Sequence, residues 1–210
     1  MFFVATRFGA QLPTRLPHLW ELILPNVLRE KDKITNRENI QEEVNQLIFG
    51  LQVLEVMAPS LHKALLPPVL ECLSFLCELL AHPYKAVRHM ASRCIAVLAT
   101  LDTEKIIMQI TNHVIPLLES TGGEKIYSGT VTAPSEVDSV KQGAAEALAC
   151  LVESLGVNIV PYAVLFMVPL LGRMSDQNQA VRLACSATFA TLVQLLPLDP
   201  GAITDPPDLM

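Results

Sequence analysis

Ser139-Val-Lys-Gln-Gly-Ala-Ala-Glu-Ala-Leu-Ala-Cys150 decides the fold. Val140, Gly143, Ala144 and Leu148 recur at helical spacing, so small and aliphatic groups share one face, with Lys141 beside the first of them. The same order returns twice. Val87-Arg88 leads to Met90, Ala91, Ile95 and Leu98, and Val181-Arg182 leads to Leu183, Ala184 and Phe189. Upstream of each lies a turn or cap signal: His82-Pro83, Pro134-Ser135 and Ser175-Asp176. Ser and Asp are helix caps and Pro sets the entry angle, so these pairs predict helix starts. Ala91, Ala144 and Ala184 are expected to be buried where helices approach closely.

The spacing of the copies gives the organisation. Val140 to Val181 is 41 residues, whereas Val87 to Val140 is 53. A second ruler agrees. His113-Val-Ile-Pro116-Leu-Leu and Phe166-Met-Val-Pro169-Leu-Leu each precede a Val position, by 24 and 12 residues counted from the proline. The surplus falls in Thr121-Gly-Gly-Glu-Lys-Ile-Tyr-Ser-Gly-Thr-Val-Thr-Ala-Pro134, a Gly/Ser/Thr-rich loop. Val44, 43 residues before Val87, marks an earlier, degraded unit. The reading is all-α: an α-solenoid of HEAT-like helix pairs with a period of about 41 residues. First helices are expected over 17–29, 64–81, 104–119 and 160–174, and second helices over 38–57, 84–100, 136–155 and 178–196. About four pairs then occupy 1–198, with a loop insertion at 121–136, and 199–210 is a linker toward a missing C-terminal domain. One such pair cannot bury its apolar face alone; stacked neighbours make a continuous core.

Composition fits that architecture and excludes others. The chain has 210 residues, 51% of them hydrophobic and 17% charged, which is incompatible with disorder. A formal net charge of -6 and 5% aromatic residues argue against a phosphate-backbone grip and against stacking platforms for single strands. Mean hydropathy is +0.40. Ser154 to Gly172 is a run of nineteen uncharged residues, long enough to span a membrane. Asn158, Pro161 and Pro169 interrupt it, and a helix buried inside a stacked array has the same composition. No membrane is therefore expected. The five cysteines, an odd number within apolar stretches, read as buried thiols in a reducing compartment.

Chemistry-bearing patterns are sparse. Cys72 and Cys77 lie five apart, about 140° around a helix, and neither CxxC nor HExxH occurs. No GxSxG is present. Thr121-Gly-Gly-Glu-Lys125 lacks the spacing of a phosphate-binding loop. The segment is expected to have no catalytic, cofactor-binding or metal-ligating residue and not to be an enzyme. The repeating basic residues Arg88, Lys141 and Arg182 read either as a ladder facing a partner or as internal ties to carbonyl or acidic groups of the adjacent repeat. For the second reading Asp176 and Asp138 are the natural acids.

The 139–150 run continues in Val160-Pro-Tyr, Val168-Pro-Leu-Leu-Gly-Arg-Met-Ser-Asp-Gln177 and Phe189-Ala-Thr-Leu. Together with Leu16-Pro-His-Leu-Trp20, Ala86-Val-Arg-His-Met-Ala91 and Asp205-Pro-Pro207, it resembles the HEAT-repeat region of the TATA-binding-protein-associated ATPases of the B-TFIID complex. The resemblance implies a nuclear protein whose HEAT array holds the TATA-binding protein, and whose SNF-type ATPase uses ATP and Mg to strip it from DNA. This chain resembles the last repeats before the ATPase. It implies a non-catalytic scaffold whose neighbours are adjacent HEAT repeats and the ATPase domain, with DNA reached only indirectly. No binding residue of that family carries onto a position here. The alternative is a generic HEAT adaptor of the transport-receptor or phosphatase-scaffold type.

Overall fold

The computed structural model describes residues 40–60, 66–120 and 134–197. Among them every regular element is helical. In chain order these are α1 (Ile40–Met57), a 3-10 turn (Ala58–Ser60), α2 (Leu66–Glu71), α3 (Leu73–Leu79), α4 (Lys85–Ala99), α5 (Thr103–Glu119), α6 (Pro134–Leu155), a 3-10 stretch (Gly156–Tyr162), α7 (Ala163–Arg173) and α8 (Gln179–Leu195).

The packing follows the sequence pattern. Helix α3 packs on α4, α5 on α6, and α7 on α8. The second helices touch in order, α1 to α4 to α6 to α8, and so do the first helices, α3 to α5 to α7. Two layers of helices joined pair to pair form an α-solenoid. One cluster of buried aliphatic residues runs through it from Val44 and Leu51 of α1, through Ile95, Ile110 and Leu148, to Leu192 of α8. Because each pair offers only a stripe of apolar surface, this continuous burial is what holds the array together. Pro116 and Pro169 both lie inside the first helix of their pairs, as the second ruler requires.

Small residues set how closely the layers approach. Ala91 and Ala144 are fully buried. Ala184 is only half-buried, which corrects the expectation. Counted from the repeating valine, Ala91 and Ala144 stand four residues on, whereas Ala184 stands three on. Position four of that copy is Cys185, which is fully buried. Gly143 makes the tightest approach: a Cβ there would fall on the carbonyl oxygen of Leu80, at the end of α3, and lie 3.0 Å from Arg88 Cδ.

Helix limits differ from expectation in several places: the helix expected over 64–81 is split into α2 and α3, and α7 begins at Ala163 rather than 160. The cap of α8 is Asn178, whose Oδ1 accepts from the Ala180 and Val181 N–H groups at 3.0 and 3.3 Å; it is neither Ser175 nor Asp176. Helix α6 begins at Pro134, so 134–136 belong to it rather than to the insertion. The rest of that insertion, the helix expected over 17–29 and the linker at 199–210 lie outside the described residues.

Val137–Arg173 is apolar and long enough, by composition, to cross a membrane. It is not one straight helix. Gly156, with φ 51°, breaks it in the left-handed region that glycine alone enters cheaply, and a 3-10 stretch containing Pro161 turns the chain back from α6 into α7.

Candidate functional site

The repeating basic residues converge on the turns that join first to second helices. Arg88 is 3% exposed. Its Nη1 donates to the carbonyls of His82 and Pro83 at 2.9 and 3.0 Å. Arg182 repeats this grip on its own turn, donating from Nη1 to the carbonyls of Asp176 and Gln177 at 2.7 and 2.9 Å. In both copies a planar guanidinium closes the turn from six and five residues downstream, satisfying carbonyls that lie beyond helix ends.

Links between pairs complete a polar seam. Arg88 Nη2 donates to Gln142 Oε1 at 3.3 Å, and Gln142 Nε2 donates to Asn178 Oδ1 at 3.4 Å. Lys141 breaks the arginine pattern and reaches into the next pair, with Nζ 3.1 Å from Asp176 Oδ2. Arg173 adds a second cation at 3.4 Å from that oxygen, and its Nη2 donates to the Glu119 carbonyl at 2.9 Å. The Asn178 N–H donates to Asp176 Oδ1 at 2.9 Å. Burial alone would raise the Asp176 carboxyl, but the Asn178 N–H, Lys141 and Arg173 outweigh it and hold it below the ordinary carboxylate value. Of the two acids the sequence offered, Asp176 is therefore the partner of Lys141. The seam also places His82, whose Nδ1 accepts from the Tyr84 N–H at 3.2 Å. Burial, and then the Arg88 cation, push its imidazole below the ordinary value. Burial likewise lowers Arg88 from its ordinary value, against the pull of the Glu146 carboxylate.

Away from the seam, α1, α4 and α6 border a groove of about 380 Å³ lined by Glu55, His89, Arg93, Cys150 and Glu153. Arg93 crosses from α4 to Glu55 on α1, with Nε to Oε1 at 2.8 Å and Nη2 to the same oxygen at 2.6 Å. None of the five cysteines forms a disulfide. Burial raises Cys72, Cys150 and Cys185 to about 11, and Cys77 to about 12. It pushes Cys94 up as well, and the Cys94 thiol donates to the Leu51 carbonyl at 3.2 Å. A thiol held this far above neutrality is a poor nucleophile and metal ligand.

Among the described residues no strand leads into a glycine loop, and no three His, Cys, Asp or Glu residues gather to hold a metal ion. The repeating basic residues Arg88, Lys141 and Arg182 are tied to carbonyls and to Asp176.

No model of a known protein family matches the chain. Individual relatives do. Human TATA-binding protein-associated factor 172 is 38% identical over 213 residues, which cover 98% of this chain and 11% of that protein. Arabidopsis thaliana TATA-binding protein-associated factor BTAF1 is 33% identical over 94% of the chain and 9% of its own length. Schizosaccharomyces pombe TATA-binding protein-associated factor mot1 is 32% identical over 98% of the chain and 10% of its own length. The chain belongs to the TATA-binding protein-associated factor family. It spans about a tenth of the length of the curated relatives it matches.

In this family member the three basic residues hold carbonyls and Asp176, as the internal-tie reading expects, except that Arg88 and Arg182 grip their own turns rather than an adjacent repeat. Gln142 and Asn178 carried no repeating signal, because each occurs once and acts across two pairs. Their one hint was position: Gln142 follows Lys141 directly, and Asn178 stands three residues before Val181.

Proposed function

We propose that this chain is a non-catalytic HEAT-repeat scaffold segment of a nuclear transcription regulator that uses ATP to remove TATA-binding protein from DNA. The observation that carries the reading is the polar seam, which ties the turns at 82–83 and 176–178 to α6 between them, in a chain whose relatives are named for association with TATA-binding protein. A stacked solenoid with buried cross-links holds two modules at a fixed offset, so force applied at one end displaces the other. Nucleotide and Mg are held by residues outside this chain. The partners are adjacent repeats and an ATPase domain, with TATA-binding protein bound by the whole polypeptide. DNA is engaged only indirectly and no membrane is involved.

Asp176→Ala and Lys141→Ala, placed in the complete polypeptide, test this reading. The expected result is ATP hydrolysis and TATA-binding protein capture close to those of the parent, with slowed ATP-driven release from DNA. Release at the parental rate by both variants would remove the scaffold reading. ATP turnover by the purified 1–210 chain above a blank would remove the non-catalytic one.

A further inference from the structure

Helix α7 leaves an apolar stripe uncovered. Val164, Val168 and Leu171 stand at i, i+4 and i+7, and are 74%, 69% and 49% exposed. Three neighbouring aliphatic groups on one helix face are a packing surface rather than scattered surface hydrophobics.

The preceding pair shows how the same positions fare once a neighbour is in place. Matching Pro116 to Pro169 brings Ile115 to Val168 and Leu118 to Leu171. Helix α5 packs against α7, and there Ile115 and Leu118 are 9% and 0% exposed. The second helices agree. Three residues beyond the repeating valine stand Met90, Gly143 and Ala184; the first two are buried and the third is half-buried. The seam agrees too. Arg88 uses Nη1 for its own turn and Nη2 for Gln142 of the next pair, while the two described bonds of Arg182 both use Nη1.

Connectivity and length identify the occupant. After α4 and α6 the chain passes through a short junction into a first helix that lies beside the previous one. By the same connectivity a further first helix after α8 falls beside α7, and each of these relatives is about ten times as long as this chain. We infer that the Val164–Val168–Leu171 face seats a further amphipathic helix of the same polypeptide, lying over α7 as α7 lies over α5. A carboxamide or carboxylate that follows it in the chain reaches Arg182 Nη2.

Thiol labelling in the complete polypeptide tests this. Val168→Cys and, separately, Val164→Cys are placed on the stripe, with Asn112→Cys on the exposed side of α5 as the reference. All three sites accept cysteine without disturbing the core, and site-resolved mass spectrometry separates them from the native thiols. The expected result is labelling of Cys at 168 and 164 about tenfold or more slower than at 112, because a covered thiol must wait for local opening. That ratio should hold from micromolar to nanomolar protein. Equal rates at all three sites would overturn the inference. Protection that disappears on dilution would also overturn it, by showing that a second molecule is the cover.

Discussion

Gly143, Gly156 and Gly172 are under three different constraints. At Gly143 the constraint is steric, because an added Cβ meets the Leu80 backbone, which cannot swing away. Gly143→Ala should cost about 3 kcal/mol, at the upper end of overpacking. At Gly156 space is open and the constraint is the backbone, φ 51°. Gly156→Ala should cost about 1 kcal/mol, the left-handed penalty alone. Gly172 is exposed, helical and unobstructed, so Gly172→Ala should gain about 0.5–1 kcal/mol by restricting the unfolded chain. Denaturant unfolding of the three variants checks the order. A tolerated Gly143→Ala would mean that α6 does not approach Leu80 as described.

Two titrating residues of the seam set the acid limb of stability. The folded pKa of His82 lies below its ordinary 6.5, so the unfolded chain binds the proton more readily. Its contribution is complete above about pH 6.5 and is lost as pH falls below that value. The folded pKa of Asp176 lies below 3.8, so its contribution is complete above about pH 4 and is lost as pH falls through the folded value. Melting temperature against pH should therefore decline in two steps. His82→Gln should remove the upper step and Asp176→Asn the lower, and unchanged profiles would contradict these assignments.

At the scale of elements, Asn178 has two tasks: it caps α8 and accepts from Gln142. Asn178→Ser should keep the cap and lose the link to Gln142, because its hydroxyl ends one atom short of Oδ1, whereas Asn178→Ala removes both. The alanine variant should lose about 1 kcal/mol, a typical cap value, and the serine variant clearly less. Chemical denaturation distinguishes them, and equal losses would show that the cap is immaterial. The helices themselves were legible because their signal is local. Apolar spacing after Val87, Val140 and Val181 predicted second helices over 84–100, 136–155 and 178–196, against Lys85–Ala99, Pro134–Leu155 and Gln179–Leu195 in the structure. What sequence could not supply was long-range geometry. Gly143 reads as one more small residue until Leu80, far away in the chain, is found against it. Arg88 reads equally as a partner-facing cation or an internal tie until the carbonyls of His82 and Pro83 are found on its guanidinium. Ala184 stands three residues beyond its valine, whereas the fully buried small position is four beyond, where this copy has Cys185.

At the scale of the whole molecule, the account rests on the pairs behaving as one body, with Asp176 tying Lys141 of α6 to the turn before α8. Removing one partner of a buried ion pair leaves an uncompensated charge, and Asp176→Ala should cost about 3 kcal/mol. Where that loss appears matters more than its size. Amide hydrogen exchange, read helix by helix on the parent and on Asp176→Ala, measures it directly. A continuous scaffold predicts that protection falls together in α6, α7 and α8, with a smaller fall in α4 carried through Gln142 and Arg88. A loss confined to α8 and its turn, with α6 exchanging as in the parent, would contradict it.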